Sequence, residues 1–244
     1  MDTSDRPSIA RLRLLKSARR AGLIKAWQLS GLAVTRYYRR LLQQHGKSSQ
    51  ALAERADDKD REFYGHLFRG AALPQRLSVL DIGCGMGDLV DYLQSFPVAI
   101  DSYLGIDLVD TFVDICRSEY LEPCRFQRAN FISPSFAPRE KFNLVVNMGV
   151  MVSRVLRYEE YVEYSIEKML SLATGHILFN VITEVDGSLG NYGHADRVGN
   201  VTCLPRPRLE AILARTTRRA HAEYHIHEVR IYPDAADAFV RITL

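Results

Sequence analysis

The sequence predicts an α/β fold, in which a mostly parallel, doubly wound sheet follows an N-terminal helical cap. From about residue 77 onward, short apolar runs alternate with stretches whose apolar residues recur at helical spacing, a pattern typical of alternating strands and helices. A glycine-rich turn, Gly83-Cys84-Gly85-Met86-Gly87, joins the first strand to the first of these helices. The 70 residues before this region show helical patterns alone, which predicts the cap.

Length and composition indicate one domain of generous size, and we place the helical cap at residues 1–70 and the main domain at 71–244. No apolar run approaches the roughly 18 to 20 residues of a membrane span, and the N-terminus lacks the apolar core of a signal peptide. The four cysteines form no Cys-x-x-Cys pair. We therefore expect free thiols in a reducing, cytoplasmic compartment and no metal site.

We expect three helices in the cap. The first begins after Ser8 as N-cap, the second covers about 23–42 and stops at Gly46, and the third runs from about 49 to 69. The segment from residue 6 to residue 40 holds ten Lys and Arg residues and no acid. Such a segment can meet nucleic acid, an acidic carrier protein or a membrane surface, but a solvated outer face is the simpler interpretation and we favour it.

The elements of the main domain follow from the same periodicities. Strands are expected at about 77–82, 102–107, 124–129, 143–146 and 176–182, and helices at about 86–95, 110–120, 157–171 and 205–215. The chain then alternates over 219–231, turns at Pro233-Asp234 and ends in the apolar run 238–242, which predicts a hairpin. Three histidines, His221, His225 and His227, would share one face of its first strand, as a polar surface rather than a metal site.

Two aspartates decide between possible ligands of the glycine turn. Asp81 ends the first strand just before the turn, where a carboxylate repels a pyrophosphate and favours an ammonium group. Asp107 ends the second strand, at the place where an acid binds both ribose hydroxyls. A ligand with an amino group, a ribose and no phosphate is S-adenosylmethionine.

The segment Val79-Leu80-Asp81-Ile82-Gly83-Cys84-Gly85-Met86-Gly87-Asp88 resembles the glycine motif of the class I (Rossmann-like) S-adenosylmethionine-dependent methyltransferases, small-molecule type. The resemblance covers about 77–183 well. It implies a seven-stranded sheet with an antiparallel last strand, S-adenosylmethionine as cofactor and S-adenosylhomocysteine as product. The cofactor-binding residues that it implies are Arg61, Asp81, Gly83, Cys84, Gly85, Asp107, Leu108, Asn130, Phe131, Asn147 and Met148.

Two of these assignments have a structural alternative. Asn130 would accept from the adenine amino group in place of the commoner Asp, with the backbone N–H of Phe131 on the ring; alternatively it is a turn-forming Asn. Arg61 would bind the methionine carboxylate through a bidentate bond; alternatively it pairs with Asp57 or Asp58 one turn earlier.

The acceptor side carries weaker signals. The glycine-rich segment 184–204 leaves the carboxyl end of the fifth strand, and a loop of this length inside a domain is usually functional. We take Tyr192 and Arg197 from it, with Tyr38 and Tyr64 from the cap, as substrate-binding residues. His194 is the candidate catalytic base because it titrates near neutrality, with an ordinary loop histidine as the alternative.

These observations predict a methyltransferase that acts on the O, N or C atom of a small molecule, such as a specialised metabolite. No Asn-Pro-Pro-Tyr-type or Pro-Cys motif follows the fourth strand, so a nucleic-acid partner is disfavoured. The alternatives are a methyltransferase that docks RNA, protein or a carrier-bound substrate through the basic N-terminus, and a protein that binds S-adenosylmethionine without methylating. Nothing in the sequence indicates an oligomeric state.

Overall fold

A computed structural model describes residues 9–53, 60–186 and 202–244, without the side chains of 9–16 and Asp60. Within these residues, seven strands form one sheet. They are β1 (Arg76–Ile82), β2 (Ala99–Asp107), β3 (Cys124–Arg128), β4 (Phe142–Asn147), β5 (Ala173–Val185), β6 (Glu223–Val229) and β7 (Ala235–Thr243). The α-helices are α1 (Ile9–His45), α2 (Asp60–Leu67), α3 (Asp88–Leu93), α4 (Asp110–Glu119), α5 (Tyr158–Leu172) and α6 (Arg206–Ala220).

The strand order β3-β2-β1-β4-β5-β7-β6 confirms the predicted seven-stranded, mostly parallel sheet. The hairpin at the end of the chain is also present, because β6 and β7 pair antiparallel. However, β7 inserts between β5 and β6, and β6 takes the edge. The reason is visible in the side chains, since β7 is buried along most of its length whereas β6 is largely exposed or half-buried.

Helices cover both faces of the sheet, as a doubly wound fold requires. On one face, α5 and α6 pack on side chains such as Ile177, Phe179 and Val240. On the other face, α2, α3 and α4 pack on Val79, Leu178 and their neighbours. The carboxyl ends of the parallel strands therefore meet at one edge of the sheet between two helical layers.

The cap differs from the prediction. Its first two predicted helices are one continuous helix, α1, of 37 residues. Of the third, the structure describes a 3₁₀ turn, Ser49–Leu52, and α2. Residues 54–59 lie outside the described part of the chain. The two predicted helices are continuous because no proline lies between them and because Gly22 keeps a helical backbone. The division of the chain at residue 70 stays a prediction.

Aromatic and ionic contacts hold α1 against the rest of the protein. Trp27 is buried against α5, with its ring centroid 5.9 Å from that of Tyr161 and 5.2 Å from that of Tyr164. Further along α1, Arg39 donates to Asp110 of α4 at 2.7 Å. None of the described helices combines the length and the apolar character needed to span a membrane.

Gly175 of β5 offers a test of the sheet register. A Cβ at this position would lie 2.5 Å from the carbonyl oxygen of Asn143, on the backbone of the neighbouring strand. We expect Gly175→Ala to lower the free energy of unfolding by about 1–3 kcal/mol, because neither backbone can move without breaking sheet hydrogen bonds. Urea denaturation measures the change.

The matched control is Gly65→Ala in α2, where a Cβ would meet nothing within 4 Å. This variant should be as stable as the wild type or more stable by about 1 kcal/mol, because alanine favours a helix. Equal stability of the two variants would contradict the register between β4 and β5.

Candidate active site

A cavity lies at the carboxyl ends of the parallel strands, between the sheet and α1. The glycine turn after β1, the ends of β2 and β4, and residues of β5 and β7 form its floor and walls. The helix α1 contributes Trp27, Tyr37 and Tyr38, so an aromatic surface faces the strand ends. This is the position at which open α/β sheets bind ligands.

The glycine turn adopts a left-handed backbone at Gly83, Gly85 and Gly87, with φ values of 77°, 52° and 99°. At Gly87, a Cβ would also lie 2.3 Å from the ring of Tyr120, so only glycine is accommodated there. The sequence explains the local structure directly, because a residue with a side chain would be strained at each of these three positions.

The amide groups of the turn are used inside the protein. The N–H groups of Gly83 and Cys84 donate to the carbonyl oxygen of Ile106 at 2.7 and 3.1 Å, and the N–H of Gly85 donates to Asp107 at 3.2 Å. The N–H groups of these three residues are therefore already paired within the protein. The end of β2 runs beside the turn and accepts these hydrogen bonds.

Asp107 joins the turn to the cavity wall. Its carboxylate accepts from the N–H of Gly85 and, at 2.8 Å, from the N–H of Val109. Burial raises the pKa of this carboxyl to about 6, and the backbone N–H groups that it accepts from oppose that rise. Asp107 also lines the cavity, together with Leu108.

Asp81 lies beneath the turn rather than among the residues that line the cavity. It is 4% exposed and accepts a hydrogen bond from the hydroxyl of Tyr103 at 2.5 Å. Burial raises its pKa to about 7; the hydrogen bond from Tyr103 opposes that rise, and the negative charges of Asp107 and Asp88 add to it. Its contact with the amino group of a cofactor stays a prediction.

At the β3 end of the cavity, Asn130 fits both interpretations drawn from the sequence. It lines the cavity together with Phe131, and its side-chain oxygen accepts from the N–H of Ile132 at 3.2 Å. Lys168 of α5 holds the same loop, because it donates to the carbonyl of Ser133 at 2.8 Å and lies 5.2 Å from the Phe131 ring centroid.

The remaining predicted site residues divide into three groups. Met148, Tyr38 and Tyr64 line the cavity with Gly83, Cys84 and Gly85. Asn147 and Arg61 do not, since Asn147 is fully buried behind the wall and Arg61 is exposed on α2. Tyr192, His194 and Arg197 lie outside the described residues. The roles assigned to them all stay predictions.

Sequence reasoning missed the polar residues of β5 and β7. Asn180 and Asp237 line the cavity and are each 3% exposed. The side-chain oxygen of Asn180 accepts from the N–H of Gly149 at 2.8 Å, and its amide nitrogen donates to Asp237 at 3.3 Å. Each interrupts an apolar strand run, and a polar residue in such a run is a signal of function because its burial is costly.

The charge of the cavity wall has one sign. Among the described residues that line it, the charged ones are Asp88, Asp107 and Asp237, and no Lys, Arg or His joins them. The described part of the wall is therefore suited to a neutral or cationic ligand and poorly suited to a phosphate.

The histidines near β6 do not form the predicted row. His221 ends α6 in a left-handed conformation, with φ of 54°, so it is not on the strand that carries His225 and His227. His227 Nε2 instead lies 3.0 Å from His66 Nδ1 of α2. No group of three or more His, Cys, Asp or Glu side chains within the described residues is arranged to hold a metal ion.

Residues 79–165, which include the glycine turn, Asp107 and Asn130, match a protein family described as "Methyltransferase domain". The chain is therefore similar to methyltransferase domains over this region. The match covers the cofactor half of the predicted fold, from β1 into α5. No curated protein matches this chain at a significant level.

Several solved structures share the fold of this chain. Magnesium protoporphyrin IX methyltransferase from Synechocystis PCC 6803, with bound S-adenosylhomocysteine, is 15% identical with a TM-score of 0.59, covering 88% of this chain and 99% of that chain. DhpI in complex with S-adenosylhomocysteine is 16% identical with a TM-score of 0.56, and the match covers 90% of this chain and 97% of DhpI. The N-terminal domain of EvdMO1, crystallised in the presence of S-adenosylhomocysteine and D-fucose, is 17% identical with a TM-score of 0.50. The match covers 74% of this chain and 79% of that domain.

The buried Asp81 generates a prediction about stability and pH. Because its pKa in the folded protein, about 7, is above the ordinary value of 3.8, the folded state retains a proton that the unfolded chain releases. The contribution of Asp81 to the free energy of unfolding therefore falls as the pH rises from 4 to 7. We expect Asp81→Asn to reduce this loss, and melting temperatures at several pH values measure it.

Asp101→Asn is the matched control, because Asp101 is a partly exposed aspartate near the other end of the sheet, ion-paired with Arg76. Its pH dependence should follow that of the wild type. If Asp81→Asn and Asp101→Asn show the same slope between pH 4 and 7, Asp81 does not hold a proton at neutral pH.

Proposed function

We propose that the protein binds S-adenosylmethionine in this cavity and transfers its methyl group to the O, N or C atom of a small molecule. The observation that carries the proposal is the charge of the wall around the glycine turn. Asp107 lies where an acid meets ribose hydroxyls, the described wall has no basic residue, and the amides of Gly83, Cys84 and Gly85 are already paired. Such a site fits a nucleoside cofactor that carries cations and no phosphate.

Each part of the cofactor would have residues suited to it. Leu108, Asn130 and Phe131 offer an apolar and amide surface for the adenine, and Asp107 offers carboxylate oxygens for the ribose hydroxyls. Gly83 and Met148, at the ends of β1 and β4, would flank the amino-acid portion. When bound, S-adenosylmethionine supplies a methyl group on a sulfonium sulfur, which leaves alignment and exclusion of water to the protein.

The small-molecule acceptor is supported by the helix that partly covers the cavity and by the similar solved structures. The helix α1 lies across the strand ends and places Trp27 and Tyr37 in the wall. The solved structures named above include an enzyme of magnesium protoporphyrin IX and a domain studied with D-fucose. Both ligands are small molecules, so the proposal assigns this chain to the same broad class.

Calorimetry with S-adenosylhomocysteine tests the cofactor. We expect the wild type to bind it and not to bind a nicotinamide dinucleotide. Asp107→Asn should bind about 10- to 100-fold more weakly, since hydrogen bonds to a charged acceptor contribute about 1.5–3 kcal/mol. Asp101→Asn, on the same strand outside the cavity wall, should bind like the wild type. Binding of the dinucleotide in place of S-adenosylhomocysteine would refute the proposal.

The same interaction predicts a dependence on pH. Because the pKa of Asp107 is about 6 in the free protein, its carboxylate takes up a proton as the pH falls through that value. A protonated carboxyl accepts fewer hydrogen bonds from the ribose, so affinity for S-adenosylhomocysteine should fall between pH 7 and pH 5. An Asp107→Asn protein should lack this step, and a step of equal size in that variant would assign the titration to another group.

A second candidate function has one observation in its favour. Lys25, Arg36, Arg39 and Arg40 of α1 and Arg128 of β3 line a groove beside the cavity. Arg39 is paired with Asp110, but the groove has no acidic residue in its described lining. This surface would suit a methyltransferase that docks RNA. Filter binding of a mixed-sequence RNA oligonucleotide with a steep salt dependence would favour this function, and its absence would favour the small molecule.

A further inference from the structure

The cavity continues from the glycine turn toward β5 and β7. The strand order places β2 and β3 on one side of β1, and β4, β5 and β7 on the other. A ribose at Asp107 and an adenine at Asn130 would therefore leave the β5–β7 side open to the molecule that receives the methyl group. We call this part of the cavity the acceptor compartment, and it is lined by Phe63, Val150, Asn180, Ile182, Tyr232 and Asp237.

The walls of the acceptor compartment are apolar and partly aromatic. The ring of Phe63 has its centroid 5.9 Å from that of Tyr232 and 5.9 Å from that of Phe239. Ile182 and Val150 add aliphatic surface. Aromatic and branched side chains at these positions suit a planar apolar body, because flat rings bury much area against one another.

The polar groups of the compartment are brought together by strand pairing. In the antiparallel ladder, Asp237 lies opposite Ile182. Residues opposite each other in such a ladder share a face, so Asp237 points to the same side as Asn180, two positions before Ile182. The hydrogen bond of 3.3 Å between the Asn180 amide and Asp237 agrees with this.

The hydrogen bonds also fix the direction of the Asn180 amide. Its oxygen is held by the N–H of Gly149, so its nitrogen turns toward Asp237. The strongest hydrogen-bond acceptor in the compartment is thus the Asp237 carboxylate, which is 3% exposed. Burying a carboxylate costs several kcal/mol, so its position on the cavity wall is a signal of function.

We propose that the methyl acceptor is a planar, apolar molecule with a hydroxyl or an N–H group that donates to Asp237, and that Asp237 takes its proton. This inference rests on the proposed function. The acceptor oxygen or nitrogen forms a bond to the methyl carbon, the sulfur–methyl bond breaks, and its electron pair stays on sulfur. The acceptor proton passes to a carboxylate oxygen of Asp237 and then to water. An anionic methyl acceptor is disfavoured, because the described residues of the cavity wall include no Lys, Arg or His.

Three probes of one shape test the inference on the protein loaded with S-adenosylhomocysteine. They are 2-naphthol, 2-naphthylamine and 2-methoxynaphthalene, and calorimetry measures their binding. At least one of the first two should bind about tenfold or more tightly than 2-methoxynaphthalene, which lacks a donor. The first two probes separate a hydroxyl acceptor from an amine. Equal affinity for all three probes, or binding of none, would overturn the inference while leaving the proposed function intact.

Asp237→Asn tests the role of the carboxylate. This variant should lose most of the preference for the donor-bearing probe and bind 2-methoxynaphthalene and S-adenosylhomocysteine like the wild type. With S-adenosylmethionine present, transfer of methyl to the preferred probe should slow about 100-fold, the size expected for a lost general base. Asp101→Asn is the matched control and should behave like the wild type.

The outcomes separate the two proposals. A wild type that does not bind S-adenosylhomocysteine refutes the proposed function and this inference with it. A donor preference that persists in Asp237→Asn, or a wild type that binds the preferred probe without methylating it, refutes the role of Asp237. Should Asp237→Asn fail to fold, the comparison of the three probes on the wild type still decides whether the compartment selects a hydrogen-bond donor.

Discussion

The arrangement of the site depends on how the end of β2 holds the glycine turn. The carbonyl of Ile106 accepts the amides of Gly83 and Cys84, and the Asp107 carboxylate accepts that of Gly85. These bonds use the amides that a phosphate would otherwise bind, and they keep the acid on the cavity wall. A turn with the same glycines but free amides would suit a dinucleotide. These hydrogen bonds between two neighbouring strands therefore favour the proposed cofactor over a dinucleotide.

Electrostatics reinforces this constraint. Asp81 is buried and Asp107 is half-buried on the cavity wall, and the charge of Asp107 makes Asp81 harder to ionise. Two neighbouring carboxyls with raised pKa values form a site where a cation is favoured, because a positive charge stabilises the ionised form of each. S-adenosylmethionine carries such charges on its sulfonium and ammonium groups. The raised pKa values of the two acids are thus consistent with the proposed cofactor.

Enclosure comes from α1, which lies across the strand ends as one helix. Trp27 packs on Tyr161 of α5, and Arg39 pairs with Asp110 of α4, so contacts to both helical layers fix the helix. On the 3₁₀ turn that follows, Leu52 lies over the glycine turn, 3.0 Å from where a Cβ of Gly85 would be. A partly covered, mainly apolar cavity of this kind would reduce the access of water to a reactive sulfonium.

The sequence by itself determined the strands, the glycine turn, and the positions of Asp107 and Asn130 on the cavity wall. These features are local, because they depend on the spacing of apolar residues, on glycines in a left-handed conformation and on polar residues at strand ends. Tertiary structure decided the rest. The continuity of α1 and the place of β7 inside the sheet depend on packing between distant segments. Asn180 and Asp237 are 57 residues apart and meet only because β5 pairs with β7. Local pattern fixes each element, but long-range pairing selects the side chains that share a cavity.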